Sequence, residues 1–319
     1  MTTVSIAIPC YRSAGTIPSV VDELRAAVTA REGFDYQIIL VNDYPDDDTF
    51  DVIADLCRND PKIVGVNLSR NFGQTPAKMA ALPYVKGDVL VYMDDDGQHP
   101  GSRIFELVDK VLEGYDLVFA RFPHKHHSLF KRITSWCNSK VLEWNGSKPR
   151  ELVLSSYYAM SRMAADALRD YRSPFPAPTG YLFHVVRRYA NVDMEHRDRL
   201  AGQSNYTLKK LLRMWFTGFT NFSTVPLRFA AFLGGVCAII GFLAGLFVVI
   251  RKLVNPNIAA GYTSSIALQL FIGGVIMMLL GLIGEYIGRI YMTVSDMPQY
   301  HIRETLNAES GKESEDHGK

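Results

Sequence analysis

Cysteine is scarce in this 319-residue chain, which holds four: Cys10, Cys57, Cys137 and Cys237. They stand far apart, with no Cys-x-x-Cys pair and no Cys/His ligand spacing. That scatter argues against a disulfide framework and a zinc site, and it fits a reducing compartment. Net charge is nearly absent too, at +1, so bulk electrostatics does not point to nucleic acid and no such partner is expected. The first residues, MTTVSIAIPCYRS, lack a basic start followed by a long apolar run. No secretory signal is expected there, and the first part of the chain is expected to fold in the cytoplasm. Hydrophobic residues make up 48% and charged residues 21%, enough to bury a full core. The length alone allows roughly two domains.

From residue 4 to about 200, short β-rich runs alternate with amphipathic stretches. The strand candidates are Val4–Cys10, Gln37–Asp43, Ile63–Ser69, Val89–Met93 and Asp116–Ala120. Helix-like segments lie between them near 17–30, 48–58, 75–85 and 101–113. This alternation predicts an α/β fold with a mostly parallel sheet covered on both faces. Ligands of such sheets bind beyond the carboxyl ends of the strands. Two acidic clusters fall at those ends: Asn42-Asp43 with Asp46, Asp47 and Asp48, and Asp94-Asp95-Asp96.

The composition then changes abruptly. Phe229 to Ile250 holds no charged residue and is bracketed by Arg228 and by Arg251-Lys252. A second apolar stretch runs from about Ile266 to Gly284. A helix of about 20 residues crosses a bilayer core, and uncharged runs this long are uncommon in soluble domains. The reading is a membrane hairpin over 228–288, with spans near 229–250 and 266–284, that leaves the first domain and a polar tail (289–319) on one side. From Arg303 onward the tail, mixed in charge, is expected to be disordered. Gly241-x-x-x-Gly245 and Gly284-x-x-x-Gly288 permit close helix approach, so a homo-oligomer is expected. Two further stretches, His127–Asn145 and Thr207–Phe222, place Trp and Phe on one helical face beside Lys and Arg. Basic amphipathic helices of this kind suit the headgroup region of a lipid bilayer. The domain reading is therefore 1–206 for the α/β domain, 207–227 for an interfacial helix, then hairpin and tail.

Asp94-Asp95-Asp96-Gly97-Gln98-His99-Pro100 follows the apolar strand Val-Leu-Val-Tyr-Met. Three consecutive carboxylates repel one another unless a cation or hydrogen bonds compensate. Alternate residues point to one side, so Asp94, Asp96 and Gln98 can converge on one divalent ion while Asp95 turns away. Oxygen ligands of this type suit Mg2+ or Mn2+ held together with a diphosphate. Taken alone, the segment fits a solvated acidic turn ahead of a helix equally well.

An ordered set of motifs decides between them. It runs through Ile8-Pro9-Cys10-Tyr11, Val41-Asn42-Asp43, Ser69-Arg70-Asn71-Phe72-Gly73-Gln74, the Asp94–Pro100 segment, Gly114-Tyr115-Asp116 and Phe130-Lys131-Arg132. It continues with Arg199-x-x-Gly202-x-Ser204-x-Tyr206, Pro226-Leu227-Arg228 and Gly284-Glu285-Tyr286-Ile287-Gly288-Arg289-Ile290-Tyr291. On these residues the chain resembles the family 2 glycosyltransferases of GT-A fold that act on polyprenyl phosphates. It is similar to dolichol-phosphate mannose synthase and to the bacterial hairpin branch that charges undecaprenyl phosphate.

The resemblance implies a donor set of Pro9, Tyr11, Asp43, Asp94 and Asp95, and a metal set of Asp94, Asp96 and Gln98. It implies an acceptor-phosphate set of Arg121, Lys131, Arg132, Arg199, Ser204 and Tyr206. Asp94, Asp96 and Arg199 would carry the chemistry. The implied activity is inverting, Mg2+- or Mn2+-dependent transfer of a sugar from a nucleotide-sugar, UDP-linked by resemblance, to undecaprenyl phosphate at the inner membrane. The alternatives are another acceptor such as a growing glycan, or a non-catalytic nucleotide-sugar-binding scaffold. Three positions depart from the family pattern. Asn42-Asp43-Tyr44-Pro45 stands where two Asp and Gly-Ser are usual, and Asp-Asp-Asp-Gly replaces Asp-Ala-Asp-Leu. Ser155, Ser156 and Tyr157 occupy a stretch where an Asp, sometimes assigned as a base, often stands. A phosphate monoester with a second pKa of about 6 is already largely dianionic at neutral pH, so a base is dispensable.

Overall fold

A computed structural model describes residues 1–44, 46–122, 149, 152–174, 176–195, 197, 232, 234–236, 239–243, 246–247, 250, 254 and 261–308. Two compact units divide the chain: Met1–Leu208 with Pro298–Lys319, and Lys209–Met297.

The first unit is built on an eight-stranded sheet. Its strands are β1 (Thr2–Cys10), β2 (Phe34–Asn42), β3 (Ile63–Leu68), β4 (Val89–Tyr92), β5 (Leu117–Arg121), β6 (Tyr158–Ser161), β7 (Tyr189–Asp193) and β8 (Ile302–Leu306). They lie in the order β7-β5-β6-β4-β1-β2-β3-β8. The β1–β2, β1–β4, β2–β3 and β5–β7 pairs are parallel, whereas β6 and β8 run antiparallel to their neighbours. The helices are α1 (Ile17–Thr29), α2 (Thr49–Asn59), α3 (Gln74–Ala81), α4 (Ile104–Leu112), α5 (Arg162–Arg169) and α6 (Pro178–Val185).

Strand periodicity explains the three layers. Val4, Ile6 and Ile8 of β1 join Ile38 and Leu40 of β2 in a core with α1, α2 and α4. Ala7, Ile39 and Val41, one residue out of phase, join α3, α5 and α6 on the other face. Successive side chains of a strand point to opposite faces, and β1 and β2 lie inside the sheet, so both of their faces are apolar. The five expected strands and four expected helices are all present. The segment near 75–85 breaks into α3 and a 3-10 turn at Leu82–Tyr84, where Pro83 cannot donate to a continuing α-helix.

β8 corrects the reading of the tail. Residues 302–306, of which 303–306 fall in the stretch expected to be disordered, pair with β3 through Leu68↔Ile302, Asn67↔Glu304, Val66↔Thr305 and Gly65↔Leu306. The register skips Arg303, a bulge that puts Ile302 against one core and Leu306 against the other. One extra residue breaks the period of two, which hides the strand from pattern reading.

In the second unit, α7 (Tyr262–Val294) contains the one helix among the described residues that is long and apolar enough to cross a membrane, Ile272–Val294. Two spans were expected. Of the first, 229–250, residues 232, 234–236, 239–243, 246–247 and 250 are described, all of them helical, and the apolar helix found there, Gly234–Leu243, is shorter than a membrane span. α7 runs ten residues past the expected end at Gly284 because the first charges beyond it satisfy each other. Arg289 pairs with Glu285 at 2.8 Å, one helical turn apart. The interfacial stretches 127–145 and 207–222 fall outside the described residues.

Candidate functional site

β4, β1 and β2 lie side by side and parallel, so their carboxyl ends open at one edge. The loop after β4 holds Asp94, Asp95 and Asp96. Gly97, at φ +72°, provides the left-handed turn that reverses the chain after them. His99, buried, accepts the Asp94 N–H at Nδ1 (3.0 Å) and stacks against Tyr157 at 4.9 Å. That acceptor role leaves the ring proton on Nε2, which lies 3.8 Å from Asp94 Oδ2. The loop is also tied to residue 197. The Arg197 N–H donates to the Gln98 carbonyl at 3.2 Å, and the Gln98 side-chain amide donates to the Arg197 carbonyl at 3.4 Å.

The three carboxylates have different partners. Asp94 Oδ1 accepts from Gln74 Nε2 and Oδ2 from Ser156 Oγ, each at 2.6 Å. Asp95 Oδ2 accepts from the Tyr11 N–H at 3.0 Å and from Ser13 Oγ, which ties the β4 loop to the β1–α1 loop. Asp96 Oδ1 accepts the Gln98 N–H at 3.1 Å, an Asx turn. Burial, with the Asp94 charge beside it, pushes the Asp95 carboxyl up to about 6 against the hydrogen bonds from Ser13 and Tyr11.

Asp43, at the end of β2, is buried and accepts the Phe72 N–H at 2.7 Å and the Gly73 N–H at 2.9 Å. Gly73, at φ +98°, lets the chain turn into α3. Asp43 and Asp94 are thereby bridged by one loop, since the next residue is Gln74. Pro9 is buried on β1, two residues beyond the last β1–β4 pair at Ala7. Tyr11 is 41% exposed and meets the Tyr44 ring edge-on at 5.1 Å. Arg12 stacks over Tyr44 and donates to its hydroxyl at 2.8 Å. Tyr44 stands where the family pattern has a glycine, and it adds a flat aromatic surface beside Tyr11. Arg121, at the end of β5, forms a bidentate pair with Asp193 on β7. Lys131, Arg132, Arg199, Ser204 and Tyr206 lie outside the described residues.

Ser13, Lys78, His99 and Ser156, to which motif reading assigned no role, emerge here. Lys78 is 8% exposed, donates to the Ser156 carbonyl at 3.2 Å and lies over the Tyr92 and Tyr158 rings. Burial pulls its ammonium below the ordinary lysine range, against the opposing charge of Asp94. Among the described residues no group of three His, Cys, Asp or Glu side chains is placed to hold a metal. The oxygen donors Asp94, Asp96 and Gln98 still suit Mg2+ or Mn2+, which takes one or two carboxylates and completes its shell with phosphate oxygens and water.

Burial raises the Asp43 carboxyl to about 6 despite its two N–H donors. The folded protein therefore holds a proton that the unfolded chain releases near pH 4. The stability this group contributes is complete below about pH 4 and declines as pH rises through about 6. Between pH 4 and 7.5, the stability of the wild type relative to an Asp43→Asn variant is expected to fall by roughly 2–3 kcal/mol. Paired thermal unfolding curves in detergent across that range measure it, and a constant difference would remove Asp43 as the titrating group.

Comparison with known proteins follows the same lines. The description Glycosyl transferase family 2 matches residues 5–168, and the GtrB C-terminal hairpin matches residues 225–290. An uncharacterized glycosyltransferase, YkcC, of Bacillus subtilis is 30% identical over 96% of this chain and 95% of its own. An undecaprenyl-phosphate 4-deoxy-4-formamido-L-arabinose transferase of Yersinia enterocolitica is 33% identical over 98% of this chain and 96% of its own. Among solved structures, glucosyl-3-phosphoglycerate synthase of Mycobacterium tuberculosis with phosphoglyceric acid superposes at a TM-score of 0.52. It is 20% identical and covers 69% of this chain and 80% of its own. The same enzyme crystallised with Mn2+, UDP-glucose and phosphoglyceric acid superposes at 0.50 with 21% identity, over 68% of this chain and 78% of its own.

Proposed function

Because this chain belongs to glycosyl transferase family 2, we propose that it moves a sugar from a nucleotide-sugar donor onto undecaprenyl or another polyprenyl phosphate. That it is a glycosyltransferase follows from the family; the acceptor, the metal and the stereochemistry are the proposal. The observation that carries it is the joining of the Asp94–Asp96 loop, the Asp43 loop and Tyr11 at the carboxyl ends of three parallel strands, in a chain with a matched membrane hairpin.

In this reading Tyr11 and Asp43 face the nucleotide end of the donor, and Asp94, Asp96 and Gln98 lie at its diphosphate. A bound Mg2+ or Mn2+ there, the ion class of the mycobacterial fold relative, supplies positive charge against the leaving diphosphate. The acceptor phosphate oxygen attacks the anomeric carbon and forms the new C–O bond. On the opposite side the bond to the donor phosphate breaks, and the nucleoside diphosphate leaves with its electron pair. The anomeric configuration inverts. The phosphate nucleophile needs no proton removed, consistent with Ser155 and Ser156 in place of an acid. Arg121, Lys131, Arg132, Arg199, Ser204 and Tyr206 would hold the acceptor phosphate. A multi-pass position in the inner membrane, with this domain on the cytoplasmic side, keeps the prenyl tail in lipid.

Transfer of radiolabelled sugar from a panel of UDP- and GDP-sugars to undecaprenyl phosphate, with Mn2+, Mg2+ or EDTA, tests the reading. One donor is expected to label the lipid, and EDTA is expected to lower labelling by on the order of 10²-fold. Nucleotide binding without lipid labelling from any donor would favour another acceptor or a non-catalytic scaffold.

A further inference from the structure

Asp94 is held from two directions by side chains distant in sequence. Gln74 and Lys78 are four residues apart on α3 and share one face. Gln74 Nε2 donates to Asp94 Oδ1 at 2.6 Å, and Lys78 Nζ donates to the Ser156 carbonyl at 3.2 Å. Ser156 Oγ in turn donates to Asp94 Oδ2 at 2.6 Å, so α3 and the segment before β6 close a ring around one carboxylate. Both oxygens of Asp94 are engaged, one from each side, which sets the plane of the carboxylate.

The charged member of this ring is expensive to keep. An ammonium taken out of water costs several kcal/mol unless it is compensated, and among the described residues Lys78 has no carboxylate within 4 Å. Its compensation is one carbonyl, the Tyr92 ring at 5.4 Å and the Tyr158 ring at 5.1 Å. Methionine would fill the same volume without that cost. A buried lysine retained one residue away from Asp94 implies a task at Asp94. Carboxylates that hold metals are themselves held by hydrogen bonds, and losing such a partner typically costs 10–100-fold in metal affinity or activity.

The geometry points to Gln74, Lys78 and Ser156 as a positioning set that orients Asp94 for a divalent cation bound with the donor diphosphate. This rests on the reading of Asp94 as a cation ligand. Serine at 156 thus has a use in the stretch where an acid is common in the family: it donates to Asp94, which a second carboxylate could not do when ionised.

The test is Mn2+ binding by the full-length protein in detergent with UDP or GDP, read from the electron paramagnetic resonance of free Mn2+. Ser156→Ala, Gln74→Ala and Lys78→Met are each expected to weaken binding about 10- to 100-fold, and Ser156→Thr, which keeps the hydroxyl, to restore most of it. Ser156→Ala replaces a half-buried side chain and Gln74→Ala an exposed one, so unfolding temperatures within a few degrees of wild type are expected. The Asp94→Ala variant separates the two ideas. If it binds Mn2+ as the wild type does, the cation-ligand reading fails and the positioning set fails with it. If it loses Mn2+ while Ser156→Ala and Gln74→Ala bind at wild-type strength, the positioning set alone is overturned. Should Lys78→Met not fold, the other two variants decide the matter.

Discussion

Changing Asp94 or Asp96 to alanine is expected to lower donor turnover by on the order of 10²–10³-fold, the range typical of removing one preorganised electrostatic group. The double variant is expected to lose no more than about tenfold beyond the weaker single variant, because residues that act as a unit are far from additive. Asp94 is the more exposed to collateral effects. Its loss leaves the Gln74 amide and the Ser156 hydroxyl without their acceptor, whereas Asp96 accepts a local turn hydrogen bond from Gln98. Asp94→Asn should therefore be nearly as damaging as Asp94→Ala, since an amide nitrogen would face one of the two donors. The measurement is kcat/KM for sugar release from the donor that labels lipid, with circular dichroism as the control for folding. Full activity in the double variant would rule out the metal-assisted mechanism.

Ending the chain after Met297 is expected to unfold or severely weaken the sheet unit, although it removes only a short, mostly polar segment. β8 shields the edge of β3, and the His301 carbonyl accepts the Ser69 N–H at 2.9 Å. The Asn307 side-chain amide donates to the carbonyls of Cys57 (2.6 Å) and Ile63 (3.0 Å), and Asn67 Nδ2 donates to Glu304 at 2.9 Å. At about 0.5–1.5 kcal/mol for each hydrogen bond and about 1 kcal/mol for each half-buried apolar side chain, the loss is roughly 3–7 kcal/mol. Whole domains have only about 5–15 kcal/mol. The unfolding temperature is expected to drop by roughly 10 °C or more, and the bared β3 edge should promote aggregation. Activity should go with it, because Ser69 begins the loop whose Phe72 and Gly73 N–H groups hold Asp43. Asn307→Ala, expected to cost about 1–3 kcal/mol, is the milder version. A truncated protein with wild-type melting and turnover would show β8 to be dispensable.

Much of this molecule is legible in its sequence, for local reasons. Ile6, Ile8, Ile38 and Leu40 alternate with Ala7, Ile39 and Val41 because a two-faced buried strand requires it. Val28 of α1 and Val111 of α4 close apolar faces at helical spacing. Asp43 and Asp94 stand directly after apolar strands, so the edge that gathers carboxylates follows from the order of elements. The long apolar helix beyond 262 needs only composition.

The partners of the carboxylates could not be read that way. Alternation says that Asp94 and Asp95 point apart, but only the packed structure gives Asp94 to Gln74 and Ser156, and Asp95 to Tyr11 and Ser13. Ser156 is 62 positions from Asp94, and Glu304 is 237 from Asn67. Burial periodicity and strand-end chemistry are properties of neighbouring residues, and the sequence by itself determined those: the parallel sheet, its acidic edge and the one long apolar helix. Register across strands, the bulge that admits β8 and the ring around Asp94 depend on long-range hydrogen-bond geometry, which exists only once the layers have packed.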